Sequence, residues 1–344
     1  MSQSICIMRL SAIGDVCHAA AMVTRITQAW PDAKVTWVIG KIEYQLVKGM
    51  HNVEFIVCDK RQPDARAQLK KALGGRQFDV LLLMQVALRA NWFASVAKAK
   101  RRIGFDWARS KEGHWLFTNE RIAATQHTHV LDGFMQFADK LGVPKTELDW
   151  AIPIDTQDRE WAQQQANEFG RFVIIAPAAS KAMRNWTAEG YAQIIAQLIA
   201  HDITPVICGG PGPVDADITE KTLALCSQKH HSRLFNLVGH TSLKQMLALM
   251  ALADCVVAPD TGPAHMATTV RTPVVGLYAH SNPLRTGPYL TKDQTVSVYD
   301  EAIMTEFNKP WKELPWGTRA KGKKWMAHIK VETVWQNISK LIHI

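Results

Sequence analysis

FDVLLLM (78–84) sets Val80, Leu81, Leu82 and Leu83 in an unbroken row, so a strand built from it is apolar on both alternating faces. Such a strand must be covered by helices on each side, which is the arrangement of a doubly wound α/β sheet. Outward from it, β-branched apolar runs alternate with stretches of helical period. SICIMRL (4–10) is followed by a helix over 15–30, KVTWVIG (34–40), EFIVCD (54–59) and a helix near 64–74. Parallel strands with crossover helices are the expectation.

The alternation lapses at LDWAIPIDTQD (148–158), after an expected helix at 129–141, and then resumes. FVIIAPA (172–178), TPVICGG (204–210), LFNLVG (234–239), CVVAPD (255–260) and PVVGLYA (273–279) read as strands. Helices are expected between them at 187–201, 214–228, 242–253 and 262–270. The chain is 344 residues long, too many for one ordinary core, and divides into Rossmann-like domains at 1–150 and 151–325. A last helix, HIKVETVWQNISKLIHI (328–344), completes a C-terminal piece at 326–344. In two-lobed proteins such a helix often crosses back to the first lobe.

Apolar residues at 47% and charged residues at 21% exclude a disordered or fibrous chain. No apolar run reaches the roughly 18 to 20 residues that span a bilayer, and the N-terminus lacks a basic-then-apolar order, so a cytoplasmic protein is expected. Six cysteines without a CxxC pair read as buried thiols rather than zinc ligands. Charge is uneven: residues 1–150 carry 21 Lys and Arg against 14 Asp and Glu, a net +7, whereas the remainder carries +2. The first half is the one expected to meet an anion, although a basic face can also be merely solvated.

Three stretches could carry chemistry, each where a strand runs into a helix. RLSAIGDVCHAA (9–20) sets Gly14 and Asp15 at such a junction. Asp15 reads most plainly as a helix cap, worth about 1 kcal/mol, but strand ends are also where open α/β sheets place ligands. No GxGxxG marks this turn as a dinucleotide site. APDTGPAHMATTV (258–270) gathers Asp260, Thr261 and Gly262 at a helix N-terminus, whose N–H groups suit phosphate oxygens, with His265 one turn further on. APAASKAMRNWTAEGY (176–191) offers Ser180, Lys181 and Arg184; a positioned cation can neutralise a departing diphosphate without a metal. Two other patterns are set aside. Asp215 and Asp217 form a DxD, but they open a helix, where carboxylates favour the dipole. Lys229, His230 and His231 are adjacent in sequence and read as a solvated turn.

Taken together, SAIGDVCHA, SKAMRNW, VGHTSLKQM (238–246) and DTGPAHMAT resemble the ADP-heptose:lipopolysaccharide heptosyltransferases, glycosyltransferase family nine. GFDWARSKEG (104–113) is similar to the branch that adds the first heptose, heptosyltransferase I. The resemblance implies a glycosyltransferase B fold, two Rossmann-like lobes facing a cleft, and inverting, metal-independent transfer from ADP-heptose with no cofactor. It implies that Asp15 is the catalytic base and that Asp260 holds heptose hydroxyls. Thr261 and Gly262 then lie near the diphosphate, Ser180 and Thr241 on donor-contacting positions, and His265 beside the same turn. Lys60, Arg61, Arg109 and Lys111 would face an anionic glycolipid acceptor, a Kdo-bearing lipid A precursor. Working on such an acceptor places the protein against the cytoplasmic face of the inner membrane. The sequence departs from the family pattern twice: Arg184 stands where a Lys is common, and MQVALRAN (84–91) replaces a Gln-Gly-containing motif.

Other classes compete. A nicotinamide oxidoreductase would need the missing glycine fingerprint. A noncatalytic nucleotide-sugar-binding protein would not need Asp15, and a transferase for another sugar donor would keep the same motifs. Binding of nucleic acid rests on the basic excess alone and is not expected.

Overall fold

The computed structural model describes residues 3–344. The chain divides into two units, the first ending at Pro153 and the second spanning Ile154–Ile344. The break falls inside the stretch where the sequence periodicity lapses.

The first unit runs β1 (Ser4–Met8), α1 (Ile13–Ala29), β2 (Lys34–Ile39), α2 (Lys41–Val47), β3 (Val53–Val57), α3 (Ala65–Leu73), β4 (Gln77–Leu83), α4 (Leu88–Ala94), β5 (Lys98–Gly104), β6 (Glu120–Arg121) and α5 (Val130–Leu141). Its sheet is wholly parallel, in the order β3-β2-β1-β4-β5-β6. The apolar Val80–Leu83 half of β4 lies beside β1, with Cys6 paired to Leu81 and Met8 to Leu83. Those four side chains pack against Leu69 and Leu73 of α3 and Phe93 of α4. Helices α1 and α5 pack together. They are tied through Arg25, which donates to the carbonyls of Val143 and Pro144 and pairs with Asp139.

The second unit runs α6 (Thr156–Phe169), β7 (Phe172–Ile175), α7 (Ala188–Ala200), β8 (Thr204–Ile207), α8 (Pro213–Leu225), β9 (Phe235–Asn236), α9 (Leu243–Met250), β10 (Cys255–Pro259), α10 (Gly262–Thr269), β11 (Val274–Tyr278), α11 (Pro283–Thr286), β12 (Val296–Ser297), α12 (Tyr299–Phe307) and α13 (Val331–Ile342). Its parallel sheet has the order β9-β8-β7-β10-β11-β12. This is the same winding as in the first unit, because in each the chain starts in the middle, runs to one edge and then reverses. Such a reversal opens a crevice at the carboxyl ends of the two strands that flank it. Those strands are β1 and β4 in one unit and β7 and β10 in the other.

The terminal helix α13 packs in the second unit. Val334, Ile338 and Ile342, spaced four apart on one face, join the core formed by α7 and the sheet. Trp186 Nε1 donates to the Ile329 carbonyl at 3.1 Å, and Arg171 to that of Ile342 at 2.8 Å. All six cysteines are buried and free, as expected for thiols acting as small hydrophobes. Burial pushes the thiols of Cys6 and Cys208 up to about 12, which keeps them protonated and inert.

Candidate active site

Every singled-out residue except His265 lies on the strand-carboxyl side of its sheet. Asp15 follows β1, Lys60 and Arg61 follow β3, and Arg109 and Lys111 follow β5. In the second unit Ser180, Lys181 and Arg184 follow β7, Thr241 follows β9, and Asp260 to Gly262 follow β10. His265 is buried within α10.

Asp15 does not cap α1. The helix begins at Ile13 with Ala12 as its N-cap and no side-chain capping bond, so Asp15 is the third helical residue. Its carboxylate is instead paired with Arg9, at the end of the strand before it. Arg9 also donates to the Met84 carbonyl just beyond β4, and its guanidinium lies 5.2 Å from the centre of the Phe134 ring. Burial lowers the Arg9 pKa, and the Asp15 carboxylate opposes that shift. The arrangement places a carboxylate, 37% exposed on its side chain, at the reversal point of the first sheet and holds its orientation by a buried cation. Sequence reading missed Arg9; its signal was a charged residue ending an otherwise apolar strand.

Lys60 joins this group by donating to Ser11 Oγ at 2.7 Å. Glu43 on α2 faces the same field: burial raises its pKa, while Lys60, Arg9 and Arg61 work against that rise. Gly40 is required here, because a Cβ would strike both the Leu10 carbonyl and the Glu43 carboxylate. The other basic residues differ in what already holds them. Arg61 and Lys111 are exposed. Arg109 is committed to the fold, paired with Asp106 and donating to Gln136 Oε1 and the Ala123 carbonyl, each at 2.8 Å.

In the second unit the central motif folds through local chemistry. Thr187 caps α7 by accepting the Gly190 N–H at 3.0 Å, and Gly190 leaves room for the Trp186 indole, which a Cβ would strike. Trp186 anchors the loop in the core beside Tyr191, and Asn185 Oδ1 accepts the Ala179 N–H at 2.7 Å. Arg184 is thereby aimed at β10. Its Nη1 lies 3.1 Å from Asp260 Oδ2 and 3.0 Å from the Asp260 carbonyl, while Nη2 donates to Ser180 Oγ at 2.8 Å. Ser281, just past β11, donates to the same Oδ2 at 2.6 Å. With Oδ2 doubly engaged, Oδ1 is the carboxylate oxygen left to accept from a ligand hydroxyl.

Thr261 is the N-cap of α10 and makes no side-chain capping bond, so the first-turn N–H groups, among them that of Gly262, are not taken by a cap. Lys181 is exposed and has no ion pair among the described residues. Thr241 precedes Ser242, which forms a reciprocal capping box with Gln245 at the start of α9. Two residues that sequence reading did not single out complete this edge. Ser281 fixes Asp260. His280 beside it donates from Nε2 to the Gly322 carbonyl at 2.9 Å, in a loop held by Glu306, which accepts from Lys321 N, Gly322 N and Trp325 Nε1.

Asp215 and Asp217 both have protein partners. Asp215 accepts the Gly210 N–H at 2.8 Å, and Asp217 pairs with Lys221 one turn along α8 at 2.7 Å. Among the described residues no group of three or more His, Cys, Asp or Glu is placed to hold a metal ion.

Residues 66–316 match the model of glycosyltransferase family 9 (heptosyltransferase). The chain is 45% identical over 340 residues to the lipopolysaccharide core heptosyltransferase OpsX of Haemophilus influenzae, covering 98% of this chain and 97% of that protein. Solved structures share its fold, among them the following two. A family 9 glycosyl transferase from Veillonella parvula superposes with a TM-score of 0.78 at 20% identity, covering 99% of this chain and 97% of that one. The E. coli heptosyltransferase WaaC with ADP superposes with a TM-score of 0.75 at 20% identity, covering 98% and 100%. The paired parallel sheets are those of a glycosyltransferase B fold. A full-length match at this identity, together with a family model covering most of the sequence, establishes that the chain belongs to glycosyltransferase family 9, the heptosyltransferases.

Proposed function

We propose that this protein transfers a heptose from ADP-heptose to the inner core of lipopolysaccharide, with inversion at the anomeric carbon. The observation that carries the reading is the Arg9–Asp15 pair: a partly exposed carboxylate at a sheet reversal point, oriented by a buried guanidinium and not used to cap its helix. Asp15 takes the proton from the acceptor hydroxyl as its oxygen bonds to the anomeric carbon. The bond from that carbon to the phosphate oxygen breaks, and ADP leaves with the electron pair.

The donor binds the second unit. Asp260, fixed by Arg184 and Ser281, accepts from heptose hydroxyls through Oδ1. The Thr261–Gly262 amides and Lys181 meet the diphosphate, with Ser180 and Thr241 lining the same edge and His265 behind the turn. The structure favours Lys181 over Arg184 as the phosphate ligand, because Arg184 is already spent on Asp260. Lys60, Arg61 and Lys111 meet the acidic acceptor, and Arg109 shapes the loop that carries Lys111. No metal or other cofactor takes part.

The acceptor is a Kdo-bearing lipid A precursor without heptose, the substrate of the heptosyltransferase I branch, which the GFDWARSKEG segment supports. A lipid-linked acceptor places the enzyme at the cytoplasmic surface of the inner membrane. The test is to incubate the protein with ADP-heptose and, separately, heptose-free and monoheptosylated acceptors, and to read the mass of each product. Gain of one heptose on the heptose-free acceptor is expected. Gain only on the monoheptosylated acceptor would move the enzyme to another branch. Tight ADP-heptose binding with no transfer to either would leave a nucleotide-sugar-binding protein.

A further inference from the structure

Three of the twelve tryptophans are exposed, and all three fall within residues 92–115: Trp92 (51%), Trp107 (63%) and Trp115 (39%). Leu88 (55%) and Leu116 (77%) are exposed beside them. These residues form one surface. Leu88 and Trp92, four apart, share a face of α4. The turn His114–Phe117 packs on that helix through buried His114, whose Nδ1 lies 2.9 Å from Asn91 Oδ1. Glu112 closes the junction by accepting the Leu88 N–H at 2.6 Å. Trp107 lies beside Trp115, ring centres 5.7 Å apart and planes tilted by 44°.

The rim is cationic. Arg66 lies over Trp92 at 4.9 Å and Arg121 over Trp107 at 4.0 Å, while Arg89 is exposed without an acidic partner among the described residues. Arginines that lie on indole faces are not withdrawn into carboxylate pairs and keep their charge available. Exposed tryptophans flanked by Arg, on the unit that holds +7 of the net charge, match the apolar-and-anionic character of a phospholipid surface. Among the described residues no helix is long and apolar enough to cross a membrane.

We propose that the Leu88–Trp92 face of α4 and the Trp107–Leu116 turns form a docking surface for an anionic lipid bilayer. The proposal rests on the glycolipid-acceptor reading above and names the surface that serves it. Leu88 lies five residues beyond the end of β4 and Trp107 three beyond β5, so the docking face rises from the strand edge that also carries Asp15 and Lys60. Seating this face in the headgroup layer brings that edge to the height of sugars linked to lipid.

The experiment uses the full chain and two probes, vesicles of pure phosphatidylcholine and vesicles mixed with phosphatidylglycerol. The wild-type protein is expected to sediment with the anionic vesicles at low salt, with tryptophan emission shifting to the blue. The Leu88→Glu/Leu116→Glu variant should bind at least about tenfold more weakly, since two apolar side chains are exchanged for charges that anionic lipid repels. Its circular dichroism and its heptose transfer to a delipidated, water-soluble acceptor should match wild type. Undiminished vesicle binding by the variant overturns the proposal, as does a wild type that binds neither vesicle. So does a wild-type dimer that the variant abolishes, because the face would then cover a second copy. Absence of transfer to the soluble acceptor by both proteins counts against the proposed function alone, since vesicle binding is read without it.

Discussion

Arg184 and Asp260 stand 76 residues apart in sequence, and the guanidinium Nη1 meets both Oδ2 and the main-chain carbonyl of the aspartate, at 3.1 and 3.0 Å. Their side chains are only 15% and 11% exposed, so the pair is partly removed from water. A residue expected to grip the donor's phosphate therefore sets the geometry of the residue expected to grip its sugar. Replacing Arg184 with Ala should cost about 1.5 to 3 kcal/mol in kcat/KM, the range for charge-assisted hydrogen bonds. Arg184→Lys should recover only part of it, because an ammonium cannot span both oxygens and Ser180. If the two positions act as one unit, Arg184→Ala/Asp260→Asn will fall short of the summed single losses by about 0.5 to 3 kcal/mol. Strict additivity would separate their roles.

Heptose transfer should proceed unchanged in EDTA. Asp215 already accepts a backbone N–H and Asp217 already pairs with Lys221, so a divalent ion at this DxD would have to displace both. The positive end of α10 and Lys181 offer the compensation a leaving diphosphate needs. Activity lost to EDTA and restored by magnesium or manganese would return Asp215 to the mechanism.

The candidate site residues are legible as strand-end positions, because they sit where the hydrophobic period changes; Asp15, Arg184 and Asp260 are candidates of this kind. Their partners are not legible, since nothing in the spacing joins Arg9 to Met84 or Ser281 to Asp260; strand order decides both. The fold was hidden where charge masks burial. β5, KAKRRIG, carries no apolar run that marks a strand, yet it pairs with β4, and Arg102 donates to the carbonyls of Phe117, Ala97 and Ala94 beside the sheet. α6 has no sequence signature because only Ala162 and Phe169 of its fourteen residues are buried, too few to show a period. The short α4 lacked length rather than pattern.

Acid should loosen the first unit through His114. The ring is fully buried and its Nε2 accepts the Phe105 N–H at 3.2 Å, which leaves Nδ1–H to donate to Asn91. Burial first, and Arg121 second, lower its pKa from 6.5 to about 4. The unfolded chain therefore takes up this proton before the folded one, so the stabilising contribution is whole above about pH 6.5 and is lost as pH falls towards 4. The loss amounts to about 1.6 kcal/mol between pH 6.5 and 5. Urea denaturation of wild type and His114→Gln at both pH values isolates it: the glutamine variant should lack this component. Equal pH dependence in the two proteins would show that His114 does not titrate in this way.

The decisive variant is Asp15→Asn, because the structure removes the competing account of what it would do. Were Asp15 only the cap of α1, Asn would cap in its place and turnover would barely change; the cap is Ala12, and Asp15 lies three residues further on, facing Arg9. Asn keeps the size and can still accept a hydrogen bond from Arg9, but it cannot take a proton from the acceptor hydroxyl. General-base loss predicts a fall in kcat of roughly 10² to 10⁴ with donor affinity and fold retained. Arg9→Met should follow it in kind, since the carboxylate loses its positioning cation, but the carboxylate itself remains and the fall should be smaller. Adding Arg9→Met to Asp15→Asn should then change kcat little, as expected when one residue acts through the other. Turnover near wild type in Asp15→Asn, measured with acceptor and donor saturating and chemistry limiting, would place the base elsewhere on this edge. Glu43, in the same field of cations, would be the first residue to test.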